Sequence, residues 1–173
     1  MIRTSDRGFT LIELLIVVAI ISIIAAIAVP GLLRSRMTGN ETSAIGSLKA
    51  IATSQVSYST ACGNGGYASS LPQLYAPPGG VGQGFISPDL GLSATPKKTG
   101  YDFAMVAGNG SNPGPTDCNG TASITSFYAT AVPMTFGTTG TRSFATDASS
   151  SIWYLAAATA PTQPFGAPAA PIQ

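Results

Sequence analysis

Arg7-Gly8-Phe9-Thr10-Leu11-Ile12-Glu13 joins a short basic leader to an apolar run that continues to Leu33. Glu13 is the only charged residue between Phe9 and Leu33. A lone carboxylate in a membrane-length segment costs about 2.5 to 3.5 kcal/mol on insertion scales, less at a shallow depth. Such a residue requires a specific partner. A secretory signal peptide carries its small residues after the apolar region and is cut there. Here Gly8 precedes the run, so cleavage at Gly8 keeps the hydrophobic segment in the mature chain. The 25 residues from Phe9 to Leu33 make a helix of about 38 Å, enough to cross a hydrocarbon core of about 30 Å.

The run Gly8-Phe9-Thr10-Leu11-Ile12-Glu13-Leu14-Leu15-Ile16-Val17-Val18-Ala19-Ile20-Ile21, with Pro30 further on, resembles the type IV pilin and pseudopilin family. The resemblance is specific from Arg7 to Arg36 and looser through Tyr58. It implies that a membrane prepilin peptidase cuts between Gly8 and Phe9 and that the new N-terminal Phe9 is methylated. It also implies that Glu13, the fifth mature residue, meets the Phe9 amine of a neighbouring subunit, and that residues 9–33 bundle with other copies. Arg3 and Arg7 on one side and Arg34 and Arg36 on the other leave the positive-inside rule undecided. The resemblance sets the orientation: leader in the cytoplasm, C-terminal part outside.

An exported domain with two cysteines favours a Cys62–Cys118 disulfide over two buried thiols. This departs from the many Gram-negative pilins that bridge two C-terminal cysteines, so the resemblance does not by itself carry over their C-terminal adhesive loop. The sequence has no histidine, and the spacing fits no zinc site.

From Met37 onward about 137 residues remain, the size of one domain. They carry Lys49, Lys97, Lys98 and Arg142 against Glu41, Asp89, Asp102, Asp117 and Asp147. No basic stripe forms, so no nucleic-acid partner is expected from charge. Without histidine, Ser–His and Cys–His pairs are excluded, and no Gly-rich phosphate loop occurs. An enzyme is therefore not expected. Asp89 and Asp102 are the loop carboxylates to weigh for calcium, but a clustered acidic loop is missing and Asp147 stands alone, so no metal or cofactor is expected. The sequons at Asn40, Asn109 and Asn119 imply exposure and leave modification open.

Coarse periodicity completes the expected layout. Residues 1–8 form the leader, and 9–33 the transmembrane assembly helix with a kink near Pro30. An amphipathic continuation over 34–61 carries the stripe Ala44, Ile45, Leu48, Ile51, Ala52 and Val56. Residues 62–156 form a globular β-domain. Its Gly/Pro-rich connector allows a helical turn at Ser70 to Tyr75. Its predicted strands are Tyr101 to Val106, Ser123 to Val132, Arg142 to Thr146 and Ile152 to Ala156, with a hairpin at Asp147 to Ser150. Residues 157–173, Ala/Pro-rich and aperiodic, read as a flexible tail or an extended arm. The fold class is α+β, a long N-terminal helix packed against a small antiparallel sheet.

The expected function is a structural subunit of a type IV pilus filament serving motility, adhesion or DNA uptake. Its expected partners are further copies of itself, the prepilin peptidase/methyltransferase, and an inner-membrane assembly platform. The precursor is expected as a single-pass inner-membrane protein. The alternative is a pseudopilin of a type II secretion system, which acidic calcium-loop residues would favour. A conductive filament would need closely spaced aromatics along the helix, and none occurs between Phe9 and Tyr58.

Overall fold

The computed structural model describes residues 8–172; the leader up to Arg7, and Gln173, lie outside the described residues. Helix α1 runs from Leu11 to Ala61, and its helical assignment passes through Pro30 unbroken. Pro30 has no N–H to give the Ala26 carbonyl, which other chains or side chains must cover inside a membrane. The chain divides into two compact units after Arg36, with α1 contributing to both.

In the first unit the apolar side chains face outward: Leu11 is 80% and Ile27 77% exposed. An 18-residue window in α1 reaches a mean hydropathy of 3.0, long and apolar enough to cross a membrane. Hydrophobic surface of this extent needs lipid or other protein around it.

In the second unit the remainder of α1 packs on an antiparallel sheet. The strands in chain order are β1 (Lys97–Lys98), β2 (Tyr101–Ala107), β3 (Pro113–Thr116), β4 (Ala122–Ile124), β5 (Phe127–Pro133), β6 (Ser143–Asp147), β7 (Ile152–Leu155) and β8 (Ala170–Pro171). Six of them form one sheet ordered β1-β2-β5-β6-β7-β8, while β3 and β4 form a separate ribbon. Along β2 and β5 burial alternates residue by residue, as side chains of a pleated strand point to opposite faces. Tyr101, Phe103, Phe127, Ala129, Ala131 and Phe144 thus meet Ala44, Leu48, Ile51 and Ala52 of α1 in one core.

The helix stripe needs one correction. Val56 is 50% exposed, and the buried positions beyond Ala52 are Ser54, Gln55 and Tyr58. At about 100° per residue Val56 lies about 80° from Leu48, whereas Gln55 lies only about 20° away. Gln55 fits the interior because its amide pairs with backbone: Nε2 donates to Ala68 O at 2.9 Å and Oε1 accepts from Ala68 N at 2.9 Å. A buried amide satisfied on both sides avoids the desolvation cost of an unpaired one. The helix ends where Asn64 and Gly65 turn left-handed, with φ of 50° and 91°. There Gly63 N–H donates to Tyr58 O and Gly65 N–H to Ser59 O.

The connector holds α2 (Leu71–Tyr75), capped by Ser70, and α3 (Pro88–Gly91), with Pro88 at the helix start where its missing N–H is harmless. The strand predicted as Ser123 to Val132 is two strands. The chain leaves β4 at Thr125 and Ser126 and enters the other sheet as β5. The hairpin at Asp147 to Ser150 is present, with Ser150 N–H donating to Asp147 O at 2.9 Å.

The Ala/Pro-rich end is a packed arm rather than a free tail. Its β8 pairs with Trp153 and Tyr154 of β7. Phe165 stacks on Trp153 at 5.4 Å and lies 6.2 Å from the Tyr128 ring. Gln163 binds Asp147 and the Asn109 N–H, and the Tyr128 hydroxyl donates to Pro161 O. Ala145, paired with Trp153 and Thr130, is fully buried. Aperiodic sequence conceals the arm because aromatic contacts from Tyr128 and Trp153, not its own pattern, hold it down.

Candidate functional site

The residues read as functional fall into two groups, the N-terminal motif and the clamps that hold the globular unit. Gly8 is exposed with open space where a side chain would project, and Phe9 is 72% exposed. Among the described residues nothing lies against the Gly8 side-chain position. Phe9 and Glu13 are not joined within the chain by a hydrogen bond among the described residues.

Glu13 instead pairs with Thr10. Its carboxylate accepts from Thr10 N–H at 3.0 Å and from the Thr10 hydroxyl at 2.7 Å, while Glu13 N–H donates to Thr10 Oγ1 at 3.2 Å. Thr10 precedes the first helical residue and Glu13 is third in the helix, so the pair is a capping box. The pattern Thr-x-x-Glu ahead of an apolar run marks such a cap in sequence, a cue that the expected layout does not use. It gives the lone carboxylate a partner within its own chain, one that stays with it if the chain is cut before Phe9.

At the far end of α1, Cys62 and Cys118 form a disulfide across Cα atoms 4.8 Å apart. Beside it Asp117 is nearly enclosed. Its carboxylate accepts from Tyr58 Oη at 2.6 Å, Gln73 Nε2 at 3.0 Å, Thr121 N–H at 2.7 Å and Asn119 N–H at 2.9 Å. Burial opposes its charge, but the donors from Tyr58, Gln73, Thr121 and Asn119 outweigh it and hold the carboxyl below the usual range. Burial in turn, with Asp117 alongside, raises the Tyr58 hydroxyl well above its ordinary value. The role of this cluster is to fix the 117–121 loop to the helix end.

The closed loop spans 56 residues of sequence separation, so reduction should destabilise the globular unit by up to about 4 kcal/mol in the chain-entropy account. Thermal unfolding with and without reductant measures this. A non-reducing peptide map showing two free thiols would overturn the bridge itself.

Glu41, near the start of the second unit, is 5% exposed. One oxygen accepts from Thr141 N–H at 2.8 Å and Thr141 Oγ1 at 2.9 Å. The other meets Arg142 at 2.8 Å through Nε and 2.7 Å through Nη2. The guanidinium also lies 5.5 Å from the Phe144 ring centre and 5.3 Å from that of Tyr154. By sequence Glu41 counts only toward the charge balance, and Arg142 toward that balance and the start of a predicted strand. Nothing local marks them, since the partners are 101 residues apart.

Asp89 pairs with Lys98 at 2.7 Å and Asp102 with Lys97 at 3.0 Å, both at least partly exposed. Among the described residues no three His, Cys, Asp or Glu side chains gather in a metal-holding group. Asn40, one of the sequon residues, donates through its amide to Thr139 O at 3.0 Å.

A family model described as the prokaryotic N-terminal methylation motif matches residues 3–29. Over 53 residues the chain is 51% identical to the type IV major pilin protein PilA of Myxococcus xanthus. That stretch is 31% of this chain and spans only 24% of the Myxococcus protein. Over 103 residues it is 34% identical to the type IV wide pilus major component PilA4 of Thermus thermophilus. This second match covers 60% of the chain and 67% of the Thermus protein. No solved structure gives a significant match.

Proposed function

The chain belongs to the type IV pilin family, and from that premise we propose that it is a structural subunit of an extracellular pilus filament. The observation that carries this is the Gly8-Phe9 junction set directly ahead of a capped, outward-facing apolar helix. Cleavage there yields a mature chain beginning at Phe9, held in the inner membrane by residues 9–33 until an assembly platform takes it up. In the filament the same residues bundle with other copies, and contact area between apolar side chains holds the polymer. Glu13 of one subunit then meets the Phe9 amine of another, so that two groups unfavourable in an apolar core neutralise each other. The globular unit forms the exterior. The relatives' names, two major pilins, support a pilus over a secretion pseudopilus.

Intact-mass analysis of sheared filaments, read beside electron micrographs, tests the proposal. The expected mass starts at Phe9 and carries one added methyl group. Replacing Gly8 by tryptophan should leave full-length precursor in the membrane and no filaments. Filaments built from chains that retain Met1 would overturn the processing scheme.

A further inference from the structure

Three Asn-Gly pairs stand in the globular unit: Asn64-Gly65, Asn109-Gly110 and Asn119-Gly120. Glycine leaves its amide nitrogen unshielded, so in such a pair that nitrogen reaches the asparagine side-chain amide and closes a five-membered ring readily. Hydrogen bonds on either reacting group oppose the closure, and here the pairs differ. Asn64 Nδ2 donates to Thr116 O at 2.8 Å, and Gly65 N–H donates to Ser59 O at 2.9 Å. Asn119 Oδ1 accepts from Gly79 N–H at 2.7 Å, and Gly120 N–H donates to Asp117 O at 3.1 Å. In both of these pairs the two reacting groups are held. The middle pair is different. Gly108-Asn109-Gly110-Ser111 is a turn closed by Ser111 N–H donating to Gly108 O at 3.0 Å, with Gly110 at φ 68°. Asn109 N–H donates to Gln163 Oε1 at 2.7 Å. Those bonds fix the turn but use neither reacting group. Among the described residues the Asn109 side-chain amide and Gly110 N–H have no hydrogen-bond partner, and both residues are exposed.

We infer that Asn109-Gly110 is a self-modifying site, where the folded chain deamidates through a succinimide while Asn64 and Asn119 are protected. Gly110 N loses its proton to hydroxide and attacks Asn109 Cγ. The N–Cγ bond forms, the Cγ–NH2 bond breaks, and ammonia leaves. Water then opens the ring at either carbonyl. One opening gives aspartate; the other gives isoaspartate, with the main chain rerouted through Cβ and Cγ. One water is taken up and one ammonia released, with no change of oxidation state. The product sets a carboxylate on the residue that Gln163 holds, and Gln163 Nε2 already serves Asp147 at 3.0 Å. Each event therefore makes the globular unit more negative at the point where the C-terminal arm is tied, and it removes the Asn109 sequon.

The test incubates the full chain in detergent at mildly alkaline pH, beside a sample unfolded in guanidinium chloride. Peptide mapping with fragmentation places each deamidation, and labelling by an isoaspartyl methyltransferase identifies isoaspartate. In the folded chain position 109 should react roughly thirtyfold faster than 64 or 119, the population cost of opening two hydrogen bonds. In guanidinium the three rates should converge, because an Asn-Gly pair is then all that each site retains. Asn109→Gln should abolish the acidic form that isoelectric focusing detects in the aged parent chain. Equal rates at the three positions of the folded chain overturn the inference, as does position 64 or 119 reacting first. A folded chain inert at 109 while the unfolded chain reacts means that the turn protects the pair, and overturns it too. Aspartate without isoaspartate would mean direct hydrolysis of the amide and would overturn the succinimide route. An acidic form that persists in Asn109→Gln places the reaction elsewhere and overturns the site.

Discussion

Glu13→Ala is expected to leave a subunit that is processed and held in the membrane but forms few filaments. The substitution removes the acceptor for the Phe9 amine of a neighbour. Breaking a buried pair by deleting one partner costs about 3–5 kcal/mol because the other charge stays buried and uncompensated. It also removes half of the Thr10–Glu13 capping box, worth about 1 kcal/mol to the helix start. Glu13→Gln separates the two effects, since glutamine completes a capping box but carries no charge. If charge pairing governs assembly, both variants lose filaments; if the cap governs it, the glutamine variant recovers them. Filament counts by microscopy, with Glu13→Ala as the sole subunit source, decide it. Normal numbers would mean that apolar packing alone drives assembly.

Glu41→Leu should destabilise the globular unit by about 2–3 kcal/mol. That is less than for a wholly buried pair, because the Arg142 side chain is 36% exposed and partly hydrated. The loss comes from a guanidinium left between Phe144 and Tyr154 without its carboxylate, and from Thr141 N–H without an acceptor. Glu41→Leu combined with Arg142→Met should recover much of it, since apolar residues of similar volume tolerate such a site. Urea unfolding in detergent of the parent chain, Glu41→Leu, Arg142→Met and the double variant gives the coupling directly. Additive losses in the double variant would deny that the two residues act as a pair.

The same clamp sets a pH dependence. Burial would raise the Glu41 carboxyl, but hydrogen bonds from Thr141 and Arg142 and the guanidinium charge prevail, so it lies below its ordinary value of 4.5. A depressed folded pKa contributes stability that is present above 4.5 and lost as pH falls through the folded value. Asp117 is lowered too and acts in the same direction. Glu41→Gln should flatten the acid limb of a stability–pH curve relative to the parent chain.

Features that depend on near neighbours in the chain can be read from residues alone. The apolar run to Leu33 announces its helix, and runs rich in aromatic and aliphatic residues announce Tyr101–Ala107 and Ile152–Leu155. Asp147 to Ser150 announces its turn, and Thr10 and Glu13 announce the cap, though the expected layout does not draw on that cue. Features that depend on distant partners cannot be read. Ala170–Pro171 is a strand only because β7 offers an edge, and Phe165 is held only because Trp153 and Tyr128 lie beneath it. Ser123 and Phe127 fall in different sheets because Pro113–Thr116, too rich in proline to look like a strand, pairs with the first of them. Gln55 is interior because Ala68 satisfies its amide, and Glu41 because Thr141 and Arg142 satisfy its charge. Periodicity records which face of an element is apolar. Which polar residues join that face depends on partners brought near by folding, and for Glu41 those partners stand about a hundred residues away.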